Sequence, residues 1–118
     1  MRPVIFTIAL IALTACSAAA AAPDPIALGG RTFTVQCGGC HSITEAGSNA
    51  LGPRLSEIYT RAKAAPEPAT WLRSAITSPN AEVAPGYQAG LMPISYNQGL
   101  SSNEIDALVT YMLEKGAP

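Results

Sequence analysis

Cys37, Gly38, Gly39, Cys40 and His41 stand together as Cys-x-x-Cys-His, the densest grouping of reactive side chains in this 118-residue chain. Two thiols a turn apart can form thioether bonds to the two vinyl groups of a haem. The adjacent imidazole can then reach the iron from one face as its proximal ligand. Gly38 and Gly39 keep the space between the sulfurs small and the backbone unconstrained. Three other uses of these residues fit less well. A structural zinc site wants four ligands, yet His41 is the only histidine and no second cysteine pair exists. A thioredoxin-like pair should follow a strand in an α/β pattern, which is missing here. A plain Cys37–Cys40 disulfide leaves His41 unexplained. The motif implies one covalent haem c.

The elements that must position this motif read as helices, because strand-like alternation is scarce. Ser101 and Glu104 have the spacing of a capping box. Behind them Ile105, Leu108, Val109 and Met112 recur at helical spacing, and Gly116 supplies a stop. A helix is predicted over 102–115. Another runs over 25–37 into the motif, carrying Ile26, Gly29 and Phe33. Its adjacent glycines, Gly29 and Gly30, weaken it on propensity but would let a second helix approach closely. A helix over 68–77 sets Trp71, Leu72, Ala75 and Ile76 on one side, and a shorter one covers 55–63. Connections rich in Pro and Gly fill 47–53, 64–68 and 78–99. The last is long for a structureless loop in so small a domain, and it needs a ligand or cofactor to pack on.

The first 22 residues belong to a different purpose. Met1-Arg2-Pro3 gives a positive start, an uncharged run follows over 4–15, and small residues fill 17–22. That order reads as a secretory signal peptide, too short to span a membrane as a helix, and no later segment is long enough to do so. Cys16, in Leu13-Thr14-Ala15-Cys16, resembles the lipobox cysteine that is acylated and becomes the new N-terminus, with 17–25 as an Ala/Pro tether. The other route is cleavage around Ala20 to Ala22, which discards Cys16, although Pro23 makes cleavage directly after Ala22 awkward. Both routes leave a domain over 23–118 in the periplasm, either soluble or anchored to the membrane through Cys16. Of seven basic residues Arg2 leaves with the leader, so six face eight acidic ones and the domain carries roughly −2. Without a basic cluster, nucleic acid is not an expected partner. A domain of roughly 95–100 residues is near the low end for an independent core and benefits from a staple such as a cofactor.

With the motif in place, nearly the whole mature region resembles a class I monohaem cytochrome c. Gly29 lies eight residues before Cys37 and Phe33 four before it, while Leu108 and Tyr111 hold the apolar and aromatic positions of the last helix. Gly52-Pro53 matches the family's Gly-Pro after the haem motif. The segment from Trp71 to Pro79, with Pro85-Gly86-Tyr87 and Met92-Pro93, is similar to cytochrome c domains fused to some oxidase subunits. The resemblance implies an all-α fold of three to five helices and long loops around one covalent haem, with the first and last helices crossing. It also implies that the Pro53 carbonyl accepts a hydrogen bond from the His41 ring nitrogen that does not bind iron, and that the sixth ligand is a loop methionine.

Of the methionines left after processing, Met92 lies in the 78–99 loop, stiffened by Pro93, and Met112 falls in the apolar stripe of the last helix. Met92 is thus expected as the second axial ligand beside His41; loop packing with an open iron is the competing reading. The resemblance offers Trp71 and Arg61 as haem-propionate contacts, against a core Trp71 and a solvated Arg61, which follows Tyr59-Thr60 where relatives commonly have a glycine. Tyr87 and Tyr96 would bond a propionate or hold the loop. Glu57, Glu67, Glu82 and Glu114 read as solvated surface. An iron held by His41 and Met92 has no vacant position, which suits a one-electron carrier and not an enzyme. The expected partners are redox proteins such as respiratory-chain complexes or periplasmic dehydrogenases, and the haem maturation machinery. The alternatives are an open haem that binds gas or acts as an enzyme, and a haem subunit of a larger dehydrogenase or oxidase. A missing second histidine weighs against peroxidase chemistry.

Overall fold

The structure, a computed structural model, describes residues 22–43 and 51–118. The expected leader, Cys16 included, lies outside the described residues except for Ala22. Helix α1 spans Pro25–Thr32. The Asp24 carboxylate accepts from the Ile26 and Ala27 N–H groups, and Pro25 sits where a missing donor costs nothing. The helix then widens, without a break, into a π-helical turn over Phe33–Cys37, where the Gly38 N–H donates to the Phe33 carbonyl at 2.8 Å. The span thus agrees with the predicted 25–37, but its last five residues follow a wider hydrogen-bond pattern than the sequence suggests.

Helix α2 covers Leu55–Ala64 and α3 covers Pro68–Thr77. A single helical turn, α4 over Tyr96–Gly99, interrupts the long connection. Helix α5 covers Ser102–Lys115, with both halves of the capping box formed. Ser101 Oγ accepts from the Glu104 N–H at 3.3 Å, and the Glu104 carboxylate accepts from the Ser101 N–H at 2.8 Å. There is no strand among the described residues, and the fold is all-α. No described helix is long and apolar enough to cross a membrane.

The apolar stripes of these helices meet in one core. Phe33, Leu55, Leu72 and Leu108 are its largest fully buried side chains, joined by Ala62, Ile76, Val109 and Met112. Each of these side chains other than Ala62 contributes roughly 1.5–3 kcal/mol through burial. Helices α1 and α5 cross at Gly29, whose Cα packs on Ala107 and Tyr111 so closely that no side chain would fit. One turn further on, the Phe33 and Tyr111 rings pack with centroids 5.8 Å apart. An ion pair between Arg73 and Asp106 links α3 to α5 at the surface. Trp71 is half-buried against the core. These contacts fix the end of α1, and with it the Cys37–His41 segment, against the rest of the molecule.

Candidate functional site

Cys37 ends the π-helical turn, and the next residues fold back on it: the Cys40 and His41 N–H groups both donate to the Cys37 carbonyl, at 3.0 and 2.9 Å. This turn brings both thiols and the imidazole to one cleft. The two glycines between them differ in need. A Cβ on Gly38 would lie 2.9 Å from the Thr34 carbonyl oxygen, whereas one on Gly39 would meet nothing within 4 Å. Gly38 is required for space; Gly39 is not.

His41 is held from the opposite strand of chain. Its Nδ1 lies 2.8 Å from the Pro53 carbonyl oxygen. A carbonyl only accepts, so Nδ1 carries the proton and Nε2 keeps its lone pair. Pro53 is itself fixed, because the Gly52 N–H donates to the Cys40 carbonyl and the Leu55 N–H to the Ser42 carbonyl. Gly52 is buried beneath the imidazole, where a Cβ would stand 2.5 Å from Cε1 and 2.8 Å from Nδ1. Its lack of a side chain is a matter of room for His41, not of backbone conformation.

The third wall comes from the connection between α3 and α4. Gly86 and Gly90, at φ +84° and +83°, make turns that suit glycine alone, and the Gly90 N–H donates to Asn80 Oδ1 at 2.7 Å. Met92 is half-buried and lines the cleft. The Tyr96 hydroxyl donates to the Gln36 carbonyl at 2.8 Å, tying the connection to the π-helical turn. Burial, then negative charge on Cys37 and Cys40, pushes the Tyr96 pKa up, so it stays a phenol able to donate. Of the two roles open to Tyr96, it takes that of holding the loop.

At the rim, Glu82 is exposed, as expected, but its carboxylate is not free. Its carboxylate accepts from Arg61 Nη2 at 2.7 Å and from the Trp71 indole N–H at 2.9 Å, and the Arg61 guanidinium lies 5.2 Å from the Trp71 ring centroid. The sequence carries no signal for this pairing, since its members come from two helices and a loop.

Cys37, Cys40, His41, Pro53, Arg61, Trp71 and Met92 therefore line one cleft of about 1240 Å³ of atom-free space, its open mouth included. Phe33, Leu72, Ile76 and Leu108 make its floor apolar, while the exposed Leu51 and Leu91 stand at the mouth. Burial, with a smaller contribution from Cys40, pushes the Cys37 thiol up to about 11. Among the described residues no group of three or more His, Cys, Asp or Glu could cage a bare ion. The donor set fits a macrocycle that brings its own equatorial nitrogens: two thiols for attachment, one imidazole with a directed lone pair, one thioether, and apolar walls.

The family described as Cytochrome c matches residues 26–115, a span that includes every one of these side chains. Neither the comparison with curated proteins nor that with solved structures returned a match.

Proposed function

Because the chain belongs to the cytochrome c family, as a haem-binding protein of electron transfer, we propose that it is a periplasmic monohaem carrier whose iron is held by His41 and Met92. The observation that supports this most is the His41 Nδ1–Pro53 bond of 2.8 Å, which leaves Nε2 as the free donor inside a cleft also lined by Cys37, Cys40 and Met92. Bound there, the haem would supply a one-electron iron couple.

Cys37 and Cys40 would hold the group through their sulfurs, and His41 would bind through Nε2. The Pro53 carbonyl sets the imidazole tautomer and strengthens His41 as a donor. Met92 would bring a thioether, a soft donor that favours the ferrous state relative to a second imidazole. The floor of Phe33, Leu72 and Leu108 keeps water out and disfavours the extra charge of the oxidised state. Were His41 and Met92 both to hold the group, the chain would leave no open position for a substrate, and the haem would supply one-electron chemistry with little rearrangement of these residues. That is the behaviour of a carrier docking transiently on redox proteins.

The leader pattern over 1–22 supports a periplasmic setting, and the Leu13-Thr14-Ala15-Cys16 sequence supports a lipid anchor there. Mass analysis of the membrane fraction tests the anchor: a mature chain starting beyond Cys16 refutes it. The axial pair is tested by exposing the reduced protein to carbon monoxide. The wild-type chain should resist binding, and Met92→Ala should bind readily. Wild-type binding as fast as that of Met92→Ala would refute ligation by Met92.

A further inference from the structure

Glu82 is the only carboxylate among the described residues lining the cleft, and Arg61 is the only guanidinium. They meet at the rim with Trp71 in a two-point clasp. Arg61 Nη2 donates to one Glu82 oxygen and Trp71 Nε1 to the other, at 2.7 and 2.9 Å. The donors stand on α2 and α3, while the acceptor belongs to the connection that carries Met92. Glu82 ties the first half of that connection to the two helices. Tyr96, bonded to the Gln36 carbonyl, ties its second half to the π-helical turn. Met92 lies between the two ties.

We propose that Arg61 and Trp71 form a carboxylate-binding subsite at the cleft rim, that Glu82 is its occupant, and that this clasp holds Met92 over the cleft. The inference rests on the reading of Met92 as an axial ligand. A haem propionate ends in the same chemical group as Glu82 and would compete for the same donors. Trp71 decides between them, because an indole has one N–H and cannot serve two carboxylates at full strength. In this arrangement that proton is already engaged, and Arg61 donates to Glu82 while its guanidinium lies over the indole ring. Glu82 is therefore a positioning residue: it acts on the iron through the loop that presents Met92.

The partners are partly solvated, with side-chain exposures of 27% for Arg61 and 61% for Glu82, so water screens the pair and the effect is moderate. The test uses the full-length haem-loaded protein with Glu82→Ala, Arg61→Met and their combination; Arg61→Met keeps the stem that packs on Trp71. Added imidazole, titrated against the ferric protein, competes with Met92, and the thioether-to-iron absorption reports its displacement. Amide hydrogen exchange of the peptide over 83–91 reports the loop independently of the iron. Each single variant should raise the apparent imidazole affinity about 3- to 10-fold and speed exchange over 83–91 by a similar factor. The double variant should go no further than either single one. Glu82→Ala behaving as wild type while Arg61→Met shifts both readouts would overturn the proposal, because the donors would then serve a propionate. Additive effects would overturn it too. A wild-type ferric protein without the thioether absorption would instead defeat the Met92 reading, and the exchange measurement would still test the clasp.

Discussion

Gly29→Ala adds one methyl group at the crossing of α1 and α5. That carbon would overlap the Ala107 carbonyl oxygen and stand 2.6 Å from Tyr111 Cβ and 2.7 Å from the Ala107 carbonyl carbon. Carbon atoms pack best at about 3.5–4.0 Å, so the two helices must separate by about 1 Å locally. The obstructing atoms are backbone and Cβ, which cannot rotate away as a side-chain tip can. Overpacking of this kind costs typically ~1–3 kcal/mol, and backbone obstruction puts this site at the upper end. Replacing glycine by alanine within a helix returns ~1 kcal/mol of propensity. The net loss is about 1–2 kcal/mol, or roughly 5–15 °C in Tm for a domain of this size. Thermal unfolding of the haem-loaded protein by circular dichroism measures it. Gly30→Ala is the internal contrast: its Cβ would lie 3.1 Å from Tyr111 Cε2, the far end of a ring that can yield, so its Tm should stay close to wild type. A Gly29→Ala protein as stable as Gly30→Ala would refute the close crossing.

Gly52→Ala would put a methyl group 2.5 Å from His41 Cε1 and push the imidazole off the Pro53 carbonyl; under the proposed ligation by His41 the haem spectrum should change or split into several forms, and an unchanged spectrum would refute the packing or that ligation. In the haem-free chain, the Cys37 thiol at about 11, raised from 9.0 by burial, should be alkylated roughly tenfold more slowly at pH 8 than a thiol at 9.0, because its smaller thiolate fraction outweighs its greater nucleophilicity, and the exposed Cys40 should be modified first. Its rate should climb about tenfold per unit up to about pH 10 and level off through about 11, and equal rates at both cysteines would show that Cys37 is not buried before attachment. The raised value also means that the neutral Cys37 thiol stabilises that chain fully below pH 9, a contribution lost as the pH rises through about 11. Ser101→Ala should lower Tm by a few degrees at neutral pH through loss of the capping box. Hydrogen bonds from the Ser101 side chain, then its backbone, hold the Glu104 carboxyl below the usual range. The stabilisation is therefore present above that range and fades as pH falls through the depressed value, so the gap between wild type and Ser101→Ala should narrow in acid.

What the sequence reveals here depends on how local the cause is. Helix α5 is legible because Ser101, Glu104 and the apolar stripe all lie within fifteen residues of one another, and the predicted 102–115 agrees with Ser102–Lys115. Helix α3 begins at Pro68, whose ring favours a helical start, and agrees in full; α2 runs one residue past its predicted end. The π-helical turn before the motif is not legible. Phe33 and Cys37, at its two ends, pack against a core built by distant helices, and nothing in Phe33-Thr34-Val35-Gln36-Cys37 alone announces the wider turn. At the site, the reactive residues are readable from adjacency, as Cys37, Cys40 and His41 share one turn. Gly52 and Pro53 are readable only by resemblance; the structure supplies the reason, a ring stacked where a side chain would be. Glu82 could not be read at all. Its partners lie 21 and 11 residues away, so a carboxylate that looks solvated in the chain meets two donors only once α2, α3 and the loop have converged.

The crossing of α1 with α5 also governs when the molecule can be finished. Phe33 shares its core with Leu108 and Met112, which lie 75 and 79 residues further along the chain (108 − 33 and 112 − 33), and closing so long a loop costs entropy before any contact rewards it. Until α5 docks, α1 lacks the surface that Gly29 packs on, and only the core around Phe33 holds the segment leading to Cys37. Docking of the last helix then seals the attachment segment from behind.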